Sequence, residues 1–360
     1  MYQKDYGTLK DRWLSYWERE NHDKPLLCFT APREGAAYMD LPKHASLRDR
    51  WFDTDHAVSR ARRNIENTYY GGDAFPYAYA NLGPDILGAV CGCELEYGES
   101  TSWAVHHVHD WGALPLITFD PNNAWFAKIQ EMTRALLEDS GGDYLVGVTD
   151  LHPGMDALVS LRGPEALCTD LLDSPECIAP RIGQVFEVYK GFLNAQNDLI
   201  AAKQEGSTNW MGIWHPGKNW YVTSCDFSAL ISGYHFEDHV MPGLKYEHDL
   251  LPASIYHLDG PGALRHLDRL LQIPNLNGIQ WVPGAGAPPA REWIRVYKKI
   301  QAAGKLIVAY CEPDDIAPVC EALAPEGLQL SCHAASESHA GELLKLAESI
   351  YEGKRRKVWA

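Results

Sequence analysis

A histidine and an aspartate stand two residues apart, His257 and Asp259, at the end of the apolar run Ala253-Ser-Ile-Tyr-His-Leu-Asp and just before Gly260-Pro261-Gly262. On a strand, residues two apart project from the same face, so this imidazole and carboxylate would point together into the space that the strand end borders. A nitrogen and an oxygen donor so placed can share a metal ion or pass a proton. Asp259 could instead cap the helix that begins near Pro261, an ordinary role for a carboxylate. Comparable groups follow other apolar runs: Asp85, then Asp150 and His152, His215, Gln280 and Trp281, Cys311 and Glu312, and Cys332 and His333.

These residues need strands and helices to hold them, and apolar strand-like runs alternate with helical stretches along the whole chain. Candidate strands cover residues 25–30, 75–80, 144–149, 209–214, 253–257, 278–282, 306–310 and 328–332, with helices over 176–204, 262–271, 290–303 and 314–323 among the connections. This is the pattern of a parallel sheet with crossover helices. Eight strand–helix units predict an α/β TIM (β/α)8 barrel, typically ~250 residues before insertions. The surplus lies in two places. Leu9, Trp13, Tyr16 and Trp17 form a helical apolar stripe, read as an N-terminal extension that plugs or caps the barrel, and residues 94–120 read as a hairpin-like insertion after the second strand. Without linkers or repeats, residues 1–360 form a single domain. In a barrel, chemistry belongs at the carboxyl ends of the strands, where the polar groups named above fall.

Composition narrows the partners. Lys and Arg number 32 against 48 Asp and Glu, a formal net charge of −16, which disfavours nucleic acid and anionic lipid surfaces. No apolar run approaches the ~20 residues of a membrane span, and the start lacks a secretory signature, so a soluble cytoplasmic protein is expected. The nine cysteines are scattered, which fits reduced thiols. Oligomeric state is left open, a homodimer included.

Several stretches bring the chain close to a known family: NLGPDIL at 81–87, CELEYG at 93–98 with Trp103, the segment from Asp150 to Pro175, CDFSALIS at 225–232 leading to Pro242, and the block from Ser254 to Gly327. Taken in order they resemble the uroporphyrinogen decarboxylase superfamily, and within it the cobalamin-dependent methyltransferases that work with small corrinoid proteins. In that branch a His-x-Cys at the fifth strand end and a later cysteine hold zinc. The resemblance therefore implies a zinc site of His257, Asp259 in place of the cysteine, and Cys332. A carboxylate in place of a thiolate makes the site harder and could favour another metal. It also implies a TIM barrel, a small-molecule methyl donor or acceptor, and cobalamin arriving on a partner corrinoid protein. The arginine-rich motif by which the decarboxylases grip porphyrinogen carboxylates is not recognisable: Arg33 is the only arginine between the first strand and Arg48. The cations for a many-carboxylate substrate are not visible in the sequence.

Asp85, Asp150 and His257 are the catalytic candidates, and Trp103, His152, His215, Gln280 and Trp281 the substrate-binding ones. Asp85 and Asp150 follow neighbouring strands, so they are expected to converge and drive one carboxyl pKa toward neutrality. Asp85 has a competing role as cap of the helix after it, and Asp226 is balanced between helix cap and substrate contact. Trp210, Trp214 and Trp220 could wall a pocket or fill core. Cys91 and Cys93 read as a packing turn, and His106, His107 and His109 as a solvated face. The leading expectation is a corrinoid-linked methyltransferase. A metal-independent lyase on a small or cyclic substrate and a noncatalytic ligand-binding barrel stand as alternatives.

Overall fold

The computed structural model describes residues 6–36 and 40–358. Eleven strands lie among these described residues: β1 (Leu26–Pro32), β2 (Thr68–Gly72), β3 (Tyr77–Tyr79), β4 (Glu94–Tyr97), β5 (Ser102–Val105), β6 (Leu145–Gly147), β7 (Trp220–Ser224), β8 (Ala253–Asp259), β9 (Gly278–Val282), β10 (Leu306–Cys311) and β11 (Leu328–His333). The central sheet runs β2-β1-β11-β10-β9-β8-β7, parallel throughout except for β2, which lies antiparallel on β1. A second parallel pair, β3 with β6, continues through a bridge from Val148 to Asn209, and β4–β5 form an antiparallel hairpin. The result is a mixed α/β fold built on a mostly parallel sheet.

The fourth strand is not where periodicity put it. Residues 209–214 contribute only the Asn209 bridge, and the strand that pairs with β8 is Trp220–Ser224, in register from Trp220↔Ala253 to Ser224↔His257. The reason is local. Asn209 Oδ1 accepts from Met211 N at 3.0 Å and its carbonyl from Gly212 N at 2.9 Å, and Gly212 sits at φ 71°, so this stretch is a turn. A Cβ on Gly212 would lie 2.5 Å from the Tyr77 ring, which keeps glycine there.

Strand alternation sorts the apolar side chains into two clusters. Ile279, Trp281, Ile307, Ala309, Leu328, Leu330 and Cys332 pack against the helices, including Ile129, Leu158, Phe192, Ile300 and Val319. The other face carries Leu26, Phe75, Leu145, Trp220, Val222, Ala253, Ile255, Leu306 and Val308, which pack with Leu9, Trp13 and Tyr16 of the helix Tyr6–Glu18. Most of these residues open their strands, so that helix covers the amino ends of the sheet. Its rings are pinned there: Trp13 Nε1 donates to Asp73 O (3.2 Å) and Trp17 Nε1 to Trp214 O (2.8 Å).

His215 belongs to this amino end and not to the carboxyl end where it was expected. Its ring stands edge-on to Trp17 at 4.7 Å and against Trp220 at 6.3 Å. Burial pushes its imidazole down to about 4, which keeps it neutral beside Gly217 N, whose N–H donates to Nδ1 at 2.9 Å. The tryptophans Trp214 and Trp220 are 3% and 1% exposed and fill core. No helix among the described residues is long and apolar enough to cross a membrane.

Candidate active site

His257 and Asp259 alternate in phase with Ala253 and Ile255, which places them on the face opposite the helices, at the carboxyl end of β8. His257 sits in register with Gln280 of β9, and its Nδ1–H donates to Gln280 Oε1 at 2.5 Å. With the proton on Nδ1 engaged there, Nε2 is the ring atom left to act as a ligand. Asp226, two residues beyond β7, completes a group: Asp226, His257 and Asp259 each offer a ligand atom, all within 4.8 Å of one another.

A second group shares Asp226. His152, Asp156 and Asp226 also bring ligand atoms within 4.8 Å. Asp156 positions the turn itself, its two oxygens accepting from Asp226 N and Phe227 N, both at 2.9 Å. His152 reaches β7 because Tyr221 ties the end of the third strand segment across, its hydroxyl donating to Thr149 O and accepting from Leu151 N (2.7 Å). The imidazole then lies with Nε2 2.9 Å from Asp150 Oδ1 and Nδ1 3.0 Å from Ser224 Oγ. Trp210 separates the two histidines, stacked on His152 at 6.3 Å and edge-to-face with His257 at 5.3 Å.

The electrostatics follow from this crowding. Burial alone would lower the His152 pKa, but Asp150, Asp156 and Asp226 outweigh it and hold the ring protonated, well above its ordinary value. Asp226 reaches solvent from a crevice among other carboxyls: desolvation and then Asp156 raise it to about 6, against the opposing pull of His152 and His257. This is the carboxyl brought toward neutrality. Behind them Glu247 is 2% exposed with Oε2 unpartnered among the described residues, and burial followed by Asp156 lifts its pKa well above the ordinary carboxyl value.

Glu247 gives a clear stability prediction. A carboxyl whose folded pKa is raised holds its proton more tightly in the native state, so its contribution is lost as pH rises from the unfolded value through the folded one. Glu247→Gln keeps the shape without that ionisation. It should match the wild type near pH 5 and exceed it at pH 8, by about 1.4 kcal/mol for each pH unit spanned. Urea unfolding at both pH values checks this, and an equal difference at both would remove the ionisation from the account.

The other expected site residues are distributed as follows. Asp85 Oδ1 accepts from Ser160 Oγ at 2.5 Å and Oδ2 from Ala104 N at 3.1 Å, tying the β4–β5 hairpin to the helix Met155–Arg162, while Asp150 pairs with His152. The two aspartates thus have separate partners. Trp103 is 47% exposed on β5, its Nε1 donating to Glu96. Trp281 alternates onto the helix-facing side, 1% exposed and edge-on to Trp293 at 5.1 Å. Cys332 does the same on β11, three strand steps from β8, and is not grouped with His257 and Asp259 among the described residues. The same face as His257 is taken on the neighbouring strands by Gln280, Tyr310, Ser331 and His333; Thr30, Tyr310, Glu312 and His333 help line a cavity of about 350 Å³, which Cys311 and Cys332 of the helix-packed layer also border. Asp156 and Ser224 were missed as site members, and Asp226, balanced between helix cap and substrate contact, was not seen as a ligand; the signal was available in the apolar run 220–223, which as the true fourth strand puts Ser224 and Asp226 at a carboxyl end.

No protein-family model and no curated protein matches the chain. Among solved structures it superimposes on a methyltransferase from Methanosarcina mazei with a TM-score of 0.64 at 12% identity, over 96% of this chain and 99% of that one. The two chains share a fold along nearly their whole length.

Proposed function

We propose that this protein is a metal-dependent methyltransferase of the uroporphyrinogen decarboxylase superfamily, with its parallel strands closed as a (β/α)8 barrel and a corrinoid-bearing partner protein at the carboxyl ends. The observation that carries the reading is His257, aimed by Gln280 and within 4.8 Å of Asp226 and Asp259, at the strand ends of a fold shared with a methyltransferase. The donors are one imidazole nitrogen and two carboxylates, a set that suits a divalent ion such as zinc and leaves a position for substrate. Asp226, His257 and Asp259 would hold it, with Asp226 in the place the sequence assigned to Cys332. Bound there, the ion supplies Lewis acidity to the heteroatom that gives or takes the methyl group.

The protein's own groups do the rest. Methyl transfer out of a small ether, amine or thioether leaves a heteroatom that needs a proton, and His152 carries one between Asp150 and Ser224. In the opposite direction the neutral His152 ring, the form left once it has given up its proton, takes the proton that an alcohol or thiol acceptor loses, and Asp150 stabilises the resulting imidazolium. Trp210 walls the two imidazoles apart, and the cavity beside Tyr310 and His333 receives the small substrate.

Metal analysis of the purified protein, followed by incubation with methylcobalamin or reduced cobalamin and a panel of thiols, alcohols and methyl ethers, tests the reading. Stoichiometric metal and a substrate-dependent change in corrin absorbance are expected. Confirmed metal with no spectral change across the panel counts against methyl transfer, and decarboxylation by metal-free protein would support the lyase alternative.

A further inference from the structure

The chain is strongly acidic, yet one cavity of about 620 Å³ gathers Lys43, His44, Arg50, His56, Arg60 and Arg63 against a single acid, Glu99. The arginines of this set come from the helices Leu47–Phe52 and Thr54–Glu66, past Arg48, while Lys43 and His44 lie in the segment before them. Two of the six are already paired: Arg50 with Glu99 at 2.6 Å, and His44 with Asp53 at 2.8 Å. The others have no carboxylate partner among the described residues. Arg60 and Arg63, three apart on the helix Thr54–Glu66, share a face, where like charges repel. Arg60 is half-buried, with the Trp51 ring at 5.8 Å. His56 is 6% exposed, its Nδ1 is buried without a partner, and it lines the same cavity.

A solvated basic surface would leave these groups in water, and a structural ion-pair network would give them carboxylates. Neither describes partly desolvated guanidinium groups beside an imidazole whose Nδ1 is buried without a hydrogen bond and whose ring meets only that of His44, at 4.7 Å, among the described aromatic rings. Burial, then Arg50 and Arg63, push the Arg60 pKa down, which is the cost of leaving this charge without a counter-ion.

We propose that this cavity is an oxyanion subsite that binds a phosphate or carboxylate group, with Arg60 and Arg63 as its principal donors and Lys43 and His56 beside them. Paired guanidinium groups present planar N–H forks that match the oxygens of such groups. Tyr79 feels the charge of both Asp150 and Arg60, which links the two regions electrostatically. An anionic tail of the substrate, or an anionic group on the molecule that exchanges the methyl, could anchor here while its reactive end reaches His152 and His257. The inference does not depend on methyl transfer, since none of these residues belongs to the proposed metal or proton-handling set.

Calorimetric titration of the full chain with inorganic phosphate, pyrophosphate and citrate tests it. Saturable binding of at least one probe is expected, weakening as salt rises. Arg60→Gln should weaken it roughly tenfold or more, and Arg60→Gln/Arg63→Gln further still, the range expected for losing charge-assisted hydrogen bonds. Lys298→Gln, on an exposed position of the helix Ile294–Ala302, serves as the control and should bind as the wild type does. Preference for the phosphates or for citrate supports the subsite in either case and identifies the group it takes. No saturable binding by any probe, or unchanged affinity in a double variant whose circular dichroism and Tm match the wild type, overturns the proposal.

Discussion

Asp226→Ala and His257→Ala are expected to purify folded but without stoichiometric divalent metal, and to lose methyl-transfer turnover by about three orders of magnitude. Lewis-acid stabilisation is worth several kcal/mol, and each ~1.4 kcal/mol is a factor of ten in rate. The fold should survive because both side chains stand at strand ends, whereas the core is built from residues such as Tyr221, Tyr256 and Ile279 further along or on the other face. Asp226→Ala should even stabilise the metal-free protein, since it removes a carboxyl that Asp156 and burial already disfavour in its charged form. Gln280→Leu separates ligation from orientation. It leaves all three donors and removes only the acceptor that aims His257, so metal affinity should fall by roughly 10- to 100-fold. Cys332→Ala should retain metal and lose only a modest packing contribution, about 1 kcal/mol, because its side chain packs toward the helices. Elemental analysis of the four variants decides the matter: full metal in both Asp226→Ala and His257→Ala would remove this centre, and metal lost in Cys332→Ala would return the cysteine to it.

Replacement of His152 should cost both stability and turnover. The imidazolium is the cation among Asp150, Asp156 and Asp226, and deleting it leaves crowded carboxylates without compensation. Breaking a buried charge pair in this way typically costs about 3–5 kcal/mol, to be discounted here because the cluster opens partly to solvent. The pH dependence has a definite sign. The folded pKa of His152 is raised, so its contribution is fully present below the unfolded value of ~6.5 and fades as pH rises through the folded one. His152→Gln should therefore be destabilised more at pH 6 than at pH 9. Its turnover should fall by roughly 10²- to 10⁴-fold, as for loss of a general acid or base. Asp150→Asn provides a conservative comparison: the shape stays, the main raising charge goes, and the limb of the pH–rate profile that reports His152 should move to lower pH. A His152→Gln protein with unchanged turnover and the same relative stability at both pH values would exclude His152 from the chemistry.

Part of this site can be read from the chain alone, and the division has a physical basis. Backbone alternation is local, so the two-residue spacing of His257 and Asp259 places them on one face wherever the strand lies. The i, i+4, i+7 spacing of Leu9, Trp13 and Tyr16 likewise makes an apolar helix face, and its burial against the strand openings follows from that stripe. What local spacing cannot supply is which runs pair and in what phase. Residues 209–214 and 220–224 are both short and apolar, and the Asn209–Gly212 turn makes the second one the strand. That choice carries Ser224 and Asp226 to the centre and leaves His215 at the opposite end. Phase acts the same way at β9, where one step along the strand separates Gln280, bonded to His257, from Trp281 in the helix-packed layer. The shift of Asp226 under Asp156, and the gathering of Arg50 with Arg60 and Arg63, arise from charges on separate elements. Coulomb energy depends on distance in space and on burial, and only the tertiary structure sets those.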